Sequence, residues 1–375
     1  MNIRPKVLLL IPHLGGGGAE RVIELLARGI SAEKYEIHLG VITQAKNAIG
    51  TVPALVVLHA LGAKRVRAGA CKLLRLVRQL KPEIVISGMF HLNFLVLLMR
   101  PLFARGTRVL IRQNGMMTAS LQFGRDRWYT RPLYRLLYRR ADQVICQTEE
   151  MAEDLVQQLG LARERVLVLP NPIDVEEIRS HVVKGSYVWT GAGPHLLAVG
   201  RLSREKGFDL LLQAIALVKK EFAEAELLIV GSGSEETALK AKRAALGLEA
   251  AVHLAGQVVP PWPLFAEATL FVLSSRHEGL PNALLEAAAA GLPIVALPAS
   301  GGLAGLLRDR EGVWLAPEIS AEALASALLA ALRALRPGER FQHAYIEQFE
   351  LGRAIAAYEA AIDASLAGTR RGKEH

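Results

Sequence analysis

The residues best suited to chemistry share one stretch, Ser274-Ser275-Arg276-His277-Glu278-Gly279-Leu280-Pro281-Asn282-Ala283-Leu284-Leu285-Glu286. Glu278 and Glu286 have seven residues between them. Pro281 suits the first turn of a helix. Glu278 then stands just ahead of that helix, at its positive end, and Glu286 lies inside it. Gly279 permits close approach of the backbone to a ligand. Glu286 is followed by Ala287-Ala288-Ala289-Ala290, small residues that pack tightly on a sheet. A carboxylate in such an apolar helix is costly unless it is paired or bound to ligand hydroxyls. Two carboxylates placed this way can reach different parts of one ligand. The plainer alternative is a pair of unrelated surface glutamates, and the surrounding residues weigh against it.

Opposite charge sits in a second segment, Gly200-Arg201-Leu202-Ser203-Arg204-Glu205-Lys206-Gly207, which follows a strand-like run. Arg201 and Lys206 at a strand's carboxyl end could neutralise a pyrophosphate; alone, such a pair is more often a solvated loop. The next strand-like run ends in Gly231-Ser232-Gly233-Ser234, a further candidate contact for phosphate or base. Near the N-terminus, His13-Leu14-Gly15-Gly16-Gly17-Gly18 precedes the helix-like Ala19-Glu20-Arg21. Gly17 and Gly18 are expected to form a ligand-approach loop at a helix N-terminus, which favours anions; a tight turn without ligand is the alternative. No GxGxxG occurs, and the strand-like run at 36–43 does not end in the acidic residue that a dinucleotide ribose wants, which disfavours a dinucleotide oxidoreductase. Cys71 and Cys146 show no metal spacing and are expected to be reduced.

The elements that must hold these groups follow a regular rhythm. The chain has 375 residues, 51% hydrophobic and 22% charged, which suits a globular protein of two domains. Strands are expected at Lys6–Ile11, Glu36–Thr43, Ala54–His59, Glu83–Ser87, Arg108–Ile111, Gln143–Gln147 and Val166–Leu169. A second series is expected at His195–Val199, Glu226–Val230, Val252–Ala255, Thr269–Leu273, Pro293–Leu297 and Gly312–Leu315. Several are near-continuous Val/Ile/Leu runs, as parallel strands buried on both faces require. Helical patterns fill the intervals, so two doubly wound α/β domains are expected. The Gly-rich, polar stretch HVVKGSYVWTGAGP breaks the rhythm and puts the boundary near 175–194. Expected domains are 1–185, 194–340 and a helical segment at 341–368. The apolar runs Val7–Ile11 and Phe94–Met99 are far shorter than the roughly 18–20 residues a membrane span needs. MNIRPKVLLLIP reads as a first strand rather than a signal peptide, and a cytoplasmic location is expected.

With these segments in order, the chain resembles glycosyltransferase family 4, the retaining group 1 transferases with the GT-B fold. The resemblance covers nearly the whole chain. It rests on Gly17-Gly18-Ala19-Glu20-Arg21-Val22, Asn171-Pro172-Ile173-Asp174, VGRLSREKGFDLLLQA from Val199 to Ala214, LLIVGSGSE from Leu227 to Glu235, and the paired glutamates Glu278 and Glu286. It implies two Rossmann-like domains facing across a cleft, the N-terminal one binding acceptor and the C-terminal one a nucleotide-sugar, with the last helix crossing back. Arg201 and Lys206 match the basic pair on the donor diphosphate. Glu286 matches the glutamate on the ribose hydroxyls, and Glu278 the one near the transferred sugar. Gly200, Gly231, Ser232, Gly233, Gln257, Val258, Gly279 and Leu280 would line the donor, with Gly17 and Gly18 closing on it. The expected donor nucleotide is UDP. No metal or cofactor is expected, and the chain has no Asp-x-Asp. Many relatives carry a glutamate where Gly305 stands, and a histidine where Gln113 and Asn114 stand. His91 and Asn93 resemble a motif of some relatives and join Gln113 and Asn114 as acceptor-side candidates. A non-catalytic GT-B partner subunit and a nucleotide-sugar epimerase are the other functions open to such a chain.

Charge is unevenly divided. The net +9 arises from 45 Lys+Arg against 36 Asp+Glu, but residues 1–190 hold 27 of those cations and 15 of the acids. The excess therefore belongs to the N-terminal part. Residues 64–81 hold seven cations and no acid, with Val66, Ala70, Leu73, Leu74, Val77 and Leu80 on one helical face. Residues 100–140 hold ten cations and one acid, including Arg127, Arg131, Arg135 and Arg139 beside Trp128, Tyr129, Tyr134 and Tyr138. Basic helices with interfacial aromatics suit an anionic membrane surface, which is the expected partner together with a lipid-linked or other glycan acceptor; a solvated charged face is the alternative. Nucleic acid is not expected, because no reading motif accompanies the charge.

Overall fold

The apolar runs form strands because both faces of each sheet are covered: every residue from Val7 to Ile11 is fully buried. The structure is a computed structural model that describes residues 4–15, 17–43, 52–118, 121, 130–182, 189 and 191–371. It divides into two compact units, Met1–Pro172 with Gln348–His375, and Ile173–Glu347.

The first unit is built on strands β1 (Lys6–Ile11), β2 (Glu36–Thr43), β3 (Val57–Ala63), β4 (Ile84–Ser87), β5 (Arg108–Arg112), β6 (Gln143–Cys146) and β7 (Val166–Val168). They lie in the order β3-β2-β1-β4-β5-β6-β7, all parallel. One apolar layer joins the sheet to the helices Ala70–Leu80, Phe90–Met99, Thr130–Tyr138 and Glu149–Leu159. The opposite layer joins it to Gly18–Gly29 and the C-terminal helix Leu351–Arg371. That helix is fastened at several points. Lys34 pairs with Glu359 at 2.6 Å, Tyr35 donates to Asp363 at 2.6 Å, and Ile355 fills the space beside Gly29.

The second unit holds β8 (His195–Val199), β9 (Glu226–Val230), β10 (Val252–Gly256), β11 (Leu270–Leu273), β12 (Ile294–Ala296) and β13 (Val313–Leu315), in the parallel order β10-β9-β8-β11-β12-β13. Its core packs the helices Phe208–Val218 and Ala321–Ala334 on the sheet.

Three expectations shift. The strand expected at Ala54–His59 runs from Val57 to Ala63, because a turn closed by Val56 N–H to Pro53 O uses the first apolar residues and pairing with His38 starts at Val57. The two units meet in the chain at 172/173, just ahead of the stretch 175–194 where the boundary is expected. The helix Val175–Val182 packs within the second unit, where Arg179 donates to Ala289 O at 3.0 Å and His181 meets Trp262 edge-on. The basic segment 64–81 begins as a tight 3-10 turn, Val66–Gly69, before the helix Ala70–Leu80. Leu73, Leu76 and Val77 are its buried face.

Candidate functional site

In both sheets the strand order reverses beside the first strand, β1 between β2 and β4, and β8 between β9 and β11. Ligands of doubly wound sheets bind outside the carboxyl ends at such a point. The sequence-derived candidates collect at these two ends.

In the second unit the loops after β8, β9 and β11 are bound to one another. Leu202 N–H donates to Ser232 O at 2.9 Å, and Glu235 N–H to Leu202 O at 2.9 Å. This apposition explains the glycines. A Cβ on Gly231, whose φ is +147°, would stand 1.8 Å from Gly200 O, and one on Gly233 would stand 2.2 Å from Leu202 O. Gly207, at φ +64°, leaves the 3-10 turn Arg204–Lys206, and its Cβ would stand 2.0 Å from Ser274 O. Ser274 Oγ returns a bond to Lys206 O at 2.9 Å. The backbone so fixed brings Lys206 to Glu278: the ammonium donates to Glu278 Oε1, and both side chains are largely buried. Ser275 Oγ donates to the same oxygen at 2.6 Å.

Arg276 faces away and grips Asp209 with two bonds of 2.6 and 2.7 Å. Burial pushes the Asp209 carboxyl up, but the Arg276 fork and charge outweigh it and hold the group below the ordinary carboxylate range. Glu286 is 4% exposed on the helix Asn282–Ala289. Gly279 and Leu280 are buried ahead of that helix, whereas Arg201, Ser232, Gln257 and Val258 are exposed. Arg201 makes no side-chain hydrogen bond among the described residues and is open to an anion. Gly305 lies on an exposed turn of the helix Gly301–Leu307, with open space where a side chain would project.

In the first unit, Gly17 caps the helix Gly18–Gly29, and Gly15, at φ +67°, donates its N–H to Glu24 at 3.0 Å. Gly16 lies outside the described residues. Glu20, buried in the first helical turn, suits the helix's positive end. His91 is exposed in the first turn of the helix Phe90–Met99, and Asn114 is exposed just beyond β5. Asn93 and Gln113 are buried and engaged. Asn93 Nδ2 donates to Arg112 O at 2.8 Å; Gln113 accepts from Tyr138 OH at 2.7 Å and donates to Gly115 O at 2.8 Å. Both shape the loop that displays Asn114.

Sequence reasoning gave no role to Ser275 or Arg112. Arg112 is 1% exposed, donates to Tyr358 OH at 2.9 Å and to Asn171 Oδ1 at 2.6 Å, and leaves Nη1 without a hydrogen-bond partner among the described residues. The only signal in the sequence is a lone cation closing an apolar strand.

The basic segments also differ from expectation. All seven cations of 64–81 are exposed. In the second segment Arg127, Trp128 and Tyr129 lie outside the described residues. Tyr134 and Tyr138 face the core instead of an interface, and burial drives both phenols well above their ordinary range. Arg131 and Arg135 cap the carbonyls of Gln158 and Leu159 at the end of the helix Glu149–Leu159. The exposed apolar residues here are Leu98, Leu102, Leu133 and Leu136, the last 57% exposed. Among the described residues no helix is long and apolar enough to cross a membrane, and no three His, Cys, Asp or Glu are arranged to hold a metal ion.

Comparison with known proteins bears on both units. Residues 16–177 match the family described as Glycosyltransferase Family 4, and residues 193–334 match Glycosyl transferases group 1. A curated relative from Campylobacter jejuni, N-acetylgalactosamine-N,N'-diacetylbacillosaminyl-diphospho-undecaprenol 4-alpha-N-acetylgalactosaminyltransferase, is 28% identical over 82% of this chain and 84% of its own. The lipopolysaccharide core biosynthesis glycosyltransferase LpsE of Rhizobium meliloti is 30% identical over 51% of this chain and 54% of its own. Among solved structures, sucrose-phosphate synthase from Thermosynechococcus elongatus has a TM-score of 0.76 at 17% identity, covering 97% of this chain and all 100% of that one. Anabaena HepE in complex with UDP and glucose has a TM-score of 0.75 at 16% identity, covering 96% and 100%. This likeness supports the two-domain α/β GT-B fold that the family resemblance implies.

Proposed function

We propose that this chain, which belongs to the group 1 glycosyltransferases of family 4, moves a hexose-type sugar from a UDP-sugar to a lipid-linked or other envelope-glycan acceptor, with retention and without a metal. One observation carries the donor assignment: the topological switch of the second sheet gathers Arg201, Lys206 and Glu278 on loops whose glycines let their backbones pack against one another. In this reading Arg201 and Lys206 meet the diphosphate, Glu286 the ribose, and Glu278 with the backbone of Gly279 and Leu280 the sugar. Gly200, Gly231, Ser232, Gly233, Gln257 and Val258 complete the donor surface of the second unit; in the first unit, Gly17 and Gly18 open a helix whose N-terminus suits an anion.

The chemistry asks most for charge stabilisation. As the bond from the sugar's anomeric carbon to the phosphate oxygen breaks, negative charge grows on the diphosphate, where fixed cations act most strongly in a partly dry site. The acceptor hydroxyl attacks the oxocarbenium-like carbon from the face the diphosphate leaves, and its proton passes to the departing phosphate oxygen. No protein nucleophile is required.

The first unit is assigned the acceptor, with exposed His91 and Asn114 as contacts and Asn93 and Gln113 holding their loop. The acceptor class is supported by the diphospho-undecaprenol named for the Campylobacter relative, and UDP by the ligand of the Anabaena structure. A peripheral position on the cytosolic membrane face fits the exposed cations of 64–81 and the exposed leucines of 98–136.

The test is a panel of nucleotide-sugars incubated without acceptor. Slow release of free sugar and UDP, unaffected by EDTA, is expected. Loss of turnover in EDTA with recovery on Mg2+ would remove the metal-free mechanism. Isomerised sugar would identify an epimerase, and neither binding nor turnover would leave a non-catalytic subunit.

A further inference from the structure

We infer that Ser275 is a positioning residue that sets how Glu278 reads the transferred sugar; this rests on the donor reading above. Two donors, Ser275 Oγ and Lys206 Nζ, converge on the same oxygen, Glu278 Oε1. Oε2 has no partner among the described residues and is the oxygen left to accept from a sugar hydroxyl. A carboxylate held by one oxygen and offering the other is oriented as well as charged.

The two donors are not equivalent. Lys206 has a second duty toward the diphosphate, and its ammonium carries three N–H groups that can be divided between the two anions. Ser275 has no such duty. It is 1% exposed and lies two residues beyond the end of β11. When the diphosphate draws on Lys206, Ser275 is the contact that keeps Glu278 Oε1 in place. Glu278 also offsets the Lys206 charge, so the same carboxylate that recognises the sugar weakens the grip on bare UDP. Selectivity for a loaded donor over its product follows from this arrangement.

The experiment is titration calorimetry of the full chain with UDP and with UDP-glucose, UDP-galactose, UDP-N-acetylglucosamine and UDP-N-acetylgalactosamine. The readout is the affinity ratio of the best-bound UDP-sugar to UDP. In Ser275→Ala the ratio is expected to fall about 5-fold, the scale of one net hydrogen bond, while UDP affinity stays within about 2-fold. Ser275→Thr, which keeps the hydroxyl, should restore the ratio. Glu278→Gln should bind UDP several-fold more tightly and lose the preference for the sugar.

An unchanged ratio in Ser275→Ala, or weaker UDP binding by Glu278→Gln, overturns the inference and leaves the donor site standing. So does a wild-type protein that binds UDP without preferring any UDP-sugar. Failure of the wild-type protein to bind any of these nucleotides overturns the donor reading and the inference together.

Discussion

Lys206 and Glu278, 72 residues apart in the chain, meet as an ion pair at the carboxyl ends of β8 and β11. The pair depends on backbone rather than on side-chain reach. Gly207 lies against Ser274 O, and Ser274 Oγ holds Lys206 O, so the two loops approach as one surface. A basic and an acidic group, the proposed contacts of diphosphate and sugar, are thereby presented at the same point.

Replacing either anchor should stop transfer. Lys206→Ala or Glu286→Ala is expected to lower the transfer rate about 100-fold or more, the scale for removing a preorganised charge or donor. Thermal melting by circular dichroism should show both variants folded. Full activity in both would remove the site assignment.

Two glycines of this unit should respond in opposite ways. Gly231→Ala forces a Cβ into Gly200 O and demands a φ that side chains avoid, so a loss of about 1–3 kcal/mol is expected, with weaker UDP binding. Gly305→Ala meets open space within a helix and should gain about 0.5–1 kcal/mol. Urea unfolding distinguishes the two.

Arg112 joins three parts of the first unit, β5, Asn171 and the C-terminal helix at Tyr358. Tyr358→Phe and Asn171→Ala each strand a buried guanidinium donor, costing about 1–3 kcal/mol. Because one guanidinium serves both, the double variant should depart from the sum. Additive losses in urea denaturation would show two independent contacts instead.

Acid should loosen the fold through buried histidines. Burial holds the His343 imidazole below its ordinary value of 6.5, outweighing its bond to Leu292 O. The unfolded chain therefore takes up this proton first. The stability present above pH 6.5 is lost as the pH falls from there through the folded value. His38 and His59, also lowered by burial, act in the same direction. His343→Gln should show a smaller fall in melting temperature on mild acidification than the wild-type protein, while retaining the part due to the other two.

Membrane attachment should depend on leucines rather than tyrosines. Leu133→Glu with Leu136→Glu is expected to weaken binding to phosphatidylglycerol vesicles at low salt about 10-fold or more, since each buried leucine contributes about 1.5–3 kcal/mol. Wild-type protein that ignores such vesicles would return this face to solvent.

The fold was legible in the sequence because parallel strands buried on both faces are written as unbroken apolar runs: among the described residues, the strands from β1 to β13 overlap closely with their expected positions, except β3, which is displaced. An edge strand carries a weaker pattern, and the turn at Pro53 that displaces it is not visible in hydrophobicity alone. Glu278, Glu286, Arg201 and Lys206 stand out in the sequence as candidates through the glycines and proline around them and the family resemblance, and the structure brings Lys206 to Glu278. Tertiary structure alone decided what these side chains touch. That Lys206 and Ser275 share one oxygen of Glu278, that Arg112 is buried against Tyr358, and that Tyr134 and Tyr138 turn inward are consequences of long-range packing. Local sequence specifies residue type and periodicity, whereas the direction a side chain takes is settled by the elements that pack around it from elsewhere in the chain.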